Sequence, residues 1–539
     1  MVESVAENGS RTRQTVQWVG LALGPLLAVL TLLLLPTSYV VAVQPGNAAE
    51  LLAEVGPTEN GSASTVVQPF TWAGRATLAV MVWMGVWWLT EAIEISATAL
   101  LPLVVFPLMQ IDSIADAAAP YAKDLIFLYL GGFIIAFSMQ KWGLGKRLAL
   151  LTLKVVGTST SAMIFGFMLV TAVLSAFVSN TATTAMMLPI ALSVVALFRK
   201  QAEESDAVSP EMVSRFSTCL LLAIAYSASI GGITTIIGTP TNAFLITFIK
   251  EQIATPYRRD FSFVSWLPIG LSFSAVFLPV MYWMMTRIIF PIGNLSITGG
   301  KQLIARELKQ LGSVHRGEWN TIAVFAVVVC LWLFRPLITK VELSFGGEAV
   351  QPFSLLTDSV IAMFGAVALF IIPVNACKRV FTMDWATAEK LPWGILLLFG
   401  GGLSLAGAVK RNGVAEFIGS QAEAFSSVPT IVVVLAVTAT IVFMTELTSN
   451  AATTASLVPV LAALSPGLGI HPYLLIIPAT IASSCAFMLP VATPPNAIVF
   501  GSGMITGPQM ARSGFLLNLV AVVLVTLHAV LVVGPMLAN

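Results

Sequence analysis

The chain alternates long apolar runs with short polar connectors almost from end to end, and that alternation leaves it one solvent in which to fold. A helix crossing a bilayer needs about 20 apolar residues. Runs of that kind cover approximately 18–43, 73–92, 95–111, 124–153, 212–250, 262–293, 318–338, 355–376, 391–410, 474–506 and 513–536. Two more, 160–198 and 428–464, are too long for one crossing and carry Ser/Asn/Thr clusters at their centres. These two are expected to enter and leave on one side, as re-entrant hairpins. The expected fold class is an all-α polytopic membrane protein, with about 11 transmembrane helices plus two hairpins.

Composition agrees. Only 10% of the 539 residues are charged and 57% are hydrophobic, with a mean hydropathy of +0.90. A soluble domain carries about 25% charged residues, so a water-facing surface cannot be built from this chain. A net charge of +1 offers nothing to nucleic acid. Cys219, Cys330, Cys377 and Cys485 stand singly in apolar segments, and His315, His471 and His528 lie far apart. No metal-ligand spacing results, and no nucleophile–base set that an enzyme would need. The run 18–43 exceeds a signal peptide's apolar region of roughly 7–15 residues, so it reads as a retained helix. Asn-Gly-Ser at Asn8 and Asn60 is either a glycosylation acceptor or chance in a Gly/Ser-rich stretch.

With the N-terminus inside, most of the 27 Lys and Arg fall on the cytoplasmic face, as the positive-inside rule asks. Lys141, Lys146, Arg147, Arg215, Lys301, Arg306, Lys309, Arg316 and Lys378 are among them. Arg258, Arg259, Lys410 and Arg411 are exceptions, and the acidic first loop with Glu50, Glu54 and Glu59 fits outside. The basic stretch Lys301 to Arg316 separates two halves that repeat each other. A shift of 270 positions lays Gly131-Gly132 on Gly401-Gly402, Gly143 on Gly413, Ser179-Asn180 on Ser449-Asn450, Thr183-Thr184 on Thr453-Thr454 and Pro189 on Pro459. Ala228 to Ala243 matches Ala482 to Ala497 at a shift of 254. An odd number of spans separates the copies, so they are expected to be inverted. Inverted repeats mark secondary transporters, with substrate near the midplane.

Two kinds of polar cluster recur inside the apolar runs. One is Ser179-Asn180-Thr181-Ala182-Thr183-Thr184, with its partner Thr448-Ser449-Asn450-Ala451-Ala452-Thr453-Thr454. The other is Gly238-Thr239-Pro240-Thr241-Asn242, with its partner Ala492-Thr493-Pro494-Pro495-Asn496. Proline breaks a helix and frees carbonyls upstream, which a membrane tolerates only in buried or wet places. Freed carbonyls and Ser, Thr and Asn side chains form a neutral oxygen cage suited to sodium. Helix N-termini, amides and hydroxyls suit a carboxylate. Neither cluster contains Lys or Arg, so an anion's charge must be balanced by helix dipoles and co-bound cations. A single membrane Ser or Thr often bonds back to its own backbone; a matched four-part set with Asn in each part is poorly explained that way. Glu446, beside the second cluster, has either a coupling or a structural role, whereas Glu91 and Glu94 sit at a predicted cytoplasmic helix end. Trp83, Trp87 and Trp88 read as packing or interface anchors.

On those tips and breaks the sequence resembles the divalent anion/sodium symporter family, the sodium-coupled dicarboxylate and citrate carriers, from Gly74 to Leu537. The resemblance implies a homodimer in a cell membrane, each protomer with a scaffold and a mobile, elevator-like transport domain. The chain then divides into a cytoplasmic 1–17, scaffold helices 18–123, a first inverted repeat 124–293, the connector 294–317, scaffold helices 318–390 and a second repeat 391–539. It implies one sodium site at Ser175, Ser179, Asn180 and the backbone at Gly238. A second would use Thr445, Thr448, Asn450 and the backbone at Ala492. Substrate carboxylates would meet Asn180, Thr181 and Thr239 on one side, and Asn450, Ala451, Thr493 and Pro494 on the other. Sodium is the implied co-transported ion, and succinate, fumarate or malate the implied cargo. The family's tip reads Ser-Asn-Thr, whereas the second tip here is Ser-Asn-Ala, with Ala451 lacking a hydroxyl. Citrate or sulfate transport, exchange instead of symport, and an ion channel remain alternatives.

Overall fold

In lipid a backbone group must find its partner within protein, and nearly every apolar run accordingly forms helix in the computed structural model. It describes residues 2–42, 65–204, 208–253, 255, 257–259, 261–293, 295–345 and 348–538. Asn60 and the acidic loop with Glu50, Glu54 and Glu59 lie outside the described residues. Among the described residues strand is confined to three two-stranded antiparallel pieces, the longest pairing Ser38–Ala42 with Thr65–Pro69. The chain is an all-α polytopic membrane protein.

The spans differ in detail from the apolar runs. Among the described residues eight helices are long and apolar enough to cross a membrane: Gln14–Leu34, Ile114–Lys141, Asn180–Glu204, Pro210–Ile233, Phe263–Ile289, Arg316–Ile338, Trp393–Arg411 and Gly507–Leu537. The first run stops at Leu34, and the chain turns into the strand Ser38–Ala42. The run 124–153 is two helices. Asp124–Lys141 ends at Gly143, whose left-handed φ of 70° turns the chain into Leu144–Val156, which buries Leu150 and Leu153 and exposes Leu148 and Leu151. The second half repeats the device at Gly413, also at φ 70°, between Trp393–Arg411 and Val414–Ala422. The runs 95–111 and 355–376 give only the shorter apolar helices Ile95–Leu108 and Asp358–Ile371. Hydropathy counts apolar atoms and cannot see where a glycine redirects the backbone.

Helix crossings use small residues. A Cβ on Gly131 would sit 2.6 Å from the backbone of Ala362, and one on Gly401 would overlap the carbonyl of Ala99. The repeated Gly-Gly pairs thus let the two equivalent long helices lie against the two short apolar helices backbone to backbone.

Long-range ion pairs gather in two groups. Lys141 meets Asp384 at 2.6 Å, Lys146 meets Glu307 at 2.9 Å, and Arg147 meets Glu318 at 2.6 Å. The Lys141 ammonium holds the Asp384 carboxyl below its ordinary range. The other group pairs Lys123 with Glu251, Lys250 with Asp124, Arg411 with Asp112, and Arg335 with Asp358. The basic residues of the first group are among those that the charge argument assigns to the cytoplasmic face, and Arg411 of the second is among its exceptions. Arg147 does most. Its guanidinium grips Glu318 through two nitrogens and donates to the carbonyls of Gly312 and Ser313, tying Leu144–Val156 to the end of the basic connector. The Glu318 side chain is 4% exposed. Breaking such a pair from one side costs about 3–5 kcal/mol, while replacing both partners costs far less. Arg147→Met should therefore lower the thermal midpoint of the detergent-purified protein, and Arg147→Met with Glu318→Gln should recover much of the loss. A double variant no more stable than the single one would refute this account.

Candidate transport site

Two helices are broken at matched places. Pro210–Ile233 stops, and the chain resumes at Pro240–Gln252; Tyr473–Ser483 stops, and the chain resumes at Pro494–Phe500. The residue before proline is driven out of the α region, and proline suits the first helical position. Thr239 and Thr493 are accordingly extended, at φ −139° and −141°.

The breaks expose backbone groups that lipid cannot satisfy, and side chains meet them. Asn242 Nδ2 donates to the carbonyls of Gly232, Ile233 and Thr235 at 3.4, 3.0 and 2.8 Å. Trp266 also donates to Ile233 O, and Tyr129 to Ile236 O. Asn496 Nδ2 donates to the carbonyls of Ala486 and Leu489, both at 3.1 Å. The offset of 254 positions carries Gly232 and Thr235 onto Ala486 and Leu489, so the amide clamp is duplicated. The Asn of each Thr-Pro-x-Asn motif therefore takes up carbonyls that the sequence reading left free for sodium.

The tips repeat a second contact. Ser175 Oγ donates to Asn180 Oδ1 at 2.6 Å, and Thr445 Oγ1 donates to Asn450 Oδ1 at 2.7 Å. These four residues are related by the shift of 270. Each bond closes a turn, between Thr160–Ser175 and Asn180–Glu204 in one half, and between Thr430–Met444 and Asn450–Gly467 in the other. The half-helices then cross over. Pro240–Gln252 packs on Asn450–Gly467 and Tyr473–Ser483, while Pro494–Phe500 packs on Asn180–Glu204 and Pro210–Ile233. Each proline-started helix thus lies against the other half's tip, and Thr241 bonds Ser484 across the two breaks at 2.9 Å.

The first candidate sodium set comes together closely. A Cβ on Gly232 would lie 2.5 Å from Asn180 Oδ1, and one on Gly238 would lie 3.0 Å from both Ala176 O and Gly232 Cα. Thr235 donates a very short bond to Ala176 O. Ser179 caps the tip helix by accepting from Ala182 N at 3.3 Å. In the second set Thr445 also bonds Ser483 O, and the Thr448 hydroxyl is engaged with Met444 O and Thr453. Ala492 is joined to that tip through Leu489, whose carbonyl its N–H meets at 3.2 Å. Asn180, Asn450 and Ala451 are half-buried, Thr239 and Thr493 are buried, and Thr181 and Pro494 are exposed. Polar groups exposed at mid-run require a wet crevice, because lipid there would leave them unpartnered. Among the described residues no group of three His, Cys, Asp or Glu could hold a metal.

Glu446 resolves as a structural anchor. Its Oε1 accepts from Phe487 N, Met488 N and Asn518 Nδ2 at 2.6, 2.9 and 2.7 Å, and its Oε2 accepts from Leu489 N at 3.0 Å. One buried carboxylate thus holds the second break to its tip and to the Gly507–His528 helix. Its intramembrane position was the only signal of this in the sequence; Gly232, which shapes the first tip, gave none.

Two outcomes follow from this geometry. Gly232→Ala should push Asn180 off its position and abolish ion-dependent uptake in proteoliposomes, while leaving the protein inserted; full uptake would show that the close approach is dispensable. Glu446→Gln replaces one acceptor oxygen by an N–H₂ group facing donors. With hydrogen bonds to charged groups worth about 1.5–3 kcal/mol each, the thermal midpoint should drop by several degrees. An unchanged midpoint would remove the anchoring role.

The chain can now be set beside known proteins. Its fold resembles MtrF of Neisseria gonorrhoeae, whose structure was described as illuminating a class of antimetabolite efflux pumps, with a TM-score of 0.57 at 12% identity over 96% of this chain and 97% of that one. YdaH of Alcanivorax borkumensis, a transporter, gives 0.55 at 15% identity over 96% and 98%. Likeness at that level speaks for the fold alone. Sequence says more: the chain is 39% identical over 524 residues to a sodium-dependent dicarboxylate transporter, SdcS, of Staphylococcus saprophyticus, covering 97% of this chain and 92% of that one. SdcS of Staphylococcus aureus is 38% identical over 516 residues, covering 95% and 90%. The family model for the sodium:sulfate symporter transmembrane region matches residues 65–538, and the chain is a transporter that belongs to that family.

Proposed function

We propose that this protein carries C4-dicarboxylates such as succinate, fumarate and malate across a cell membrane, coupled to sodium. The observation that carries the reading is the pair of matched tips, Ser175–Asn180 and Thr445–Asn450, each beside a broken helix and neither accompanied by a Lys or Arg. Each tip offers neutral oxygens to an ion and amide or hydroxyl donors to an anion. The SdcS relatives support the same cargo and ion.

In this reading one sodium ion is held by Ser175, Ser179, Asn180 and Gly238, and another by Thr445, Thr448, Asn450 and Ala492. The carboxylates lie against Asn180, Thr181 and Thr239 on one side, and Asn450, Ala451, Thr493 and Pro494 on the other. Ala451 supplies no hydroxyl, and Pro494 and Pro495 carry no N–H, so the second carboxylate relies on Asn450 and the Thr493 hydroxyl. The two repeats are inverted. Asp124–Lys141 runs from the face of Asp112 toward that of Asp384, whereas Trp393–Arg411 starts near Asp384 and ends in the Arg411–Asp112 pair. Because each half-helix packs on the other half's tip, the site moves as one body against a scaffold, in an elevator-like alternation within a homodimer whose N-terminus is cytoplasmic.

Charge dictates the coupling. Two carboxylates brought to the midplane face a cost of several kcal/mol each, and a helix N-terminus offsets about 0.3–1 kcal/mol, up to ~2 in partly buried geometry. Bound sodium must supply the remainder. Succinate affinity should therefore rise steeply with sodium, and succinate should tighten sodium binding reciprocally. The check is a titration of purified protein with succinate in sodium, potassium and choline chloride, alongside uptake competed by citrate and sulfate. Equal succinate affinity in all three salts would refute sodium coupling and favour exchange, and stronger competition by sulfate would reassign the cargo. Asn180→Ala and Asn450→Ala should each abolish uptake while the protein still inserts.

A further inference from the structure

The two halves solve the same packing with different bonding one turn away from their tips. In the second half Thr454 Oγ1 and Ser483 Oγ lie 2.7 Å apart across the contact between Asn450–Gly467 and Tyr473–Ser483. One of the two hydroxyls donates across that contact and the other to a backbone carbonyl, Asn450 O at 2.9 Å from Thr454 or Thr480 O at 2.8 Å from Ser483. Thr453 pairs with Thr448 at 2.7 Å. Every hydroxyl there is spent on protein.

The first half carries the same hydroxyls at the equivalent positions. The shift of 270 lays Thr183 and Thr184 on Thr453 and Thr454, and the shift of 254 lays Ser229 on Ser483. Register places them together independently of that symmetry. Asn180–Glu204 and Pro210–Ile233 pack on each other, with Asn180 against Gly232 at one end and the rings of Phe198 and Phe216 5.0 Å apart at the other. These two anchors make the helices antiparallel and set Thr184 across from Ser229. Thr183 and Thr184 are 0% exposed and Ser229 is 1% exposed, yet none of the three hydroxyls has a hydrogen-bond partner. Thr183 has lost its counterpart because Val178 stands where the second half has Thr448.

A buried hydroxyl left unpaired costs free energy comparable to a lost hydrogen bond. Two orphans at one contact, where the sister contact is closed by a direct bond, with a third on the neighbouring residue, mark a place shaped for something the chain itself does not supply. We propose that Thr184 and Ser229, with Thr183 beside them, form an additional sodium-binding position one helical turn from the Asn180 tip. Hydroxyl oxygens are ligands for a hard monovalent cation. The carbonyls of Asn180 and Tyr226, equivalent to the two carbonyls within reach of hydroxyls in the second half, add neutral oxygens nearby. Neither 160–198 nor 224–243 contains a carboxylate, so the position suits a single charge and not a divalent ion. It lies on the side of the tip toward the basic connector, where the Asn180–Glu204 helix leads.

The proposal rests on sodium coupling, and one measurement separates the two. Equilibrium binding of ²²Na⁺ to the purified full-length protein, with succinate present, counts ions per chain. Thr184→Val with Ser229→Ala should bind one ion fewer than the unaltered protein and lower the Hill coefficient for sodium in succinate uptake. Thr184→Ser, which keeps the oxygen, should bind the full number. If the double variant does not fold, Ser229→Ala alone is read, with an expected loss of at least about threefold in sodium affinity. No sodium bound by the unaltered protein would overturn sodium coupling itself. Full sodium binding with an unchanged Hill coefficient in the variant would overturn this position alone and leave its hydroxyls to buried water.

Discussion

The structure depends on one constraint: backbone groups removed from water must be satisfied by protein, and two helices are broken where that is hardest. The first break, after Ile233, leaves carbonyls, and neutral donors meet them from Asn242, Trp266 and Tyr129. The second, after Ser483, leaves N–H groups as well, and these converge on the carboxylate of Glu446. Ala176 stands at the position equivalent to Glu446 in the first half. The two tips, alike in their Ser/Thr–Asn bond, therefore differ in fixed charge. A negative group beside the second tip favours a cation there and disfavours an anion, while the first tip has dipoles alone.

Cross-packing follows from how short the half-helices are. Pro494–Phe500 has seven residues and Pro240–Gln252 thirteen, too few to bury much surface against their own parent helices. Each gains burial by lying on the opposite half's tip helix. Pro240–Gln252 brings the N–H groups of its first turn with it, whereas Pro494–Phe500 begins with two prolines and brings the Thr493 hydroxyl. Donors for an anion and acceptors for a cation become neighbours because the duplicated elements exchange partners.

Much of this was legible before any coordinates. Polytopic helical architecture follows from run length. Both breaks follow from Thr-Pro at the centre of an apolar run, and both turns from Ser-Asn at the centre of another. What sequence could not give was the destination of the freed groups. Asn242 and Asn496 belong to the polar clusters by composition, yet their amides are engaged with backbone seven to ten residues upstream, which periodicity does not describe. Gly143 and Gly413 matched in the repeat without revealing that both turn the chain left-handed into short helices. That omission explains why the run 124–153 reads as a single crossing. Gly232 looked like any small residue in a membrane helix until its missing Cβ proved to be the space that Asn180 occupies.

A duplicated chain offers its own control. Where the copies agree, at Gly143 and Gly413 or Asn242 and Asn496, the shared residue sets backbone geometry. Where they differ, at Val178 against Thr448, Ala176 against Glu446, and Thr181 against Ala451, the side chains lie at or beside the tips. Backbone demands are symmetric because lipid imposes them equally on both halves. Ligand and ion binding impose no such equality, so these tip positions are free to differ. In the proposed site, these differences are the residues that set the two tips chemically apart.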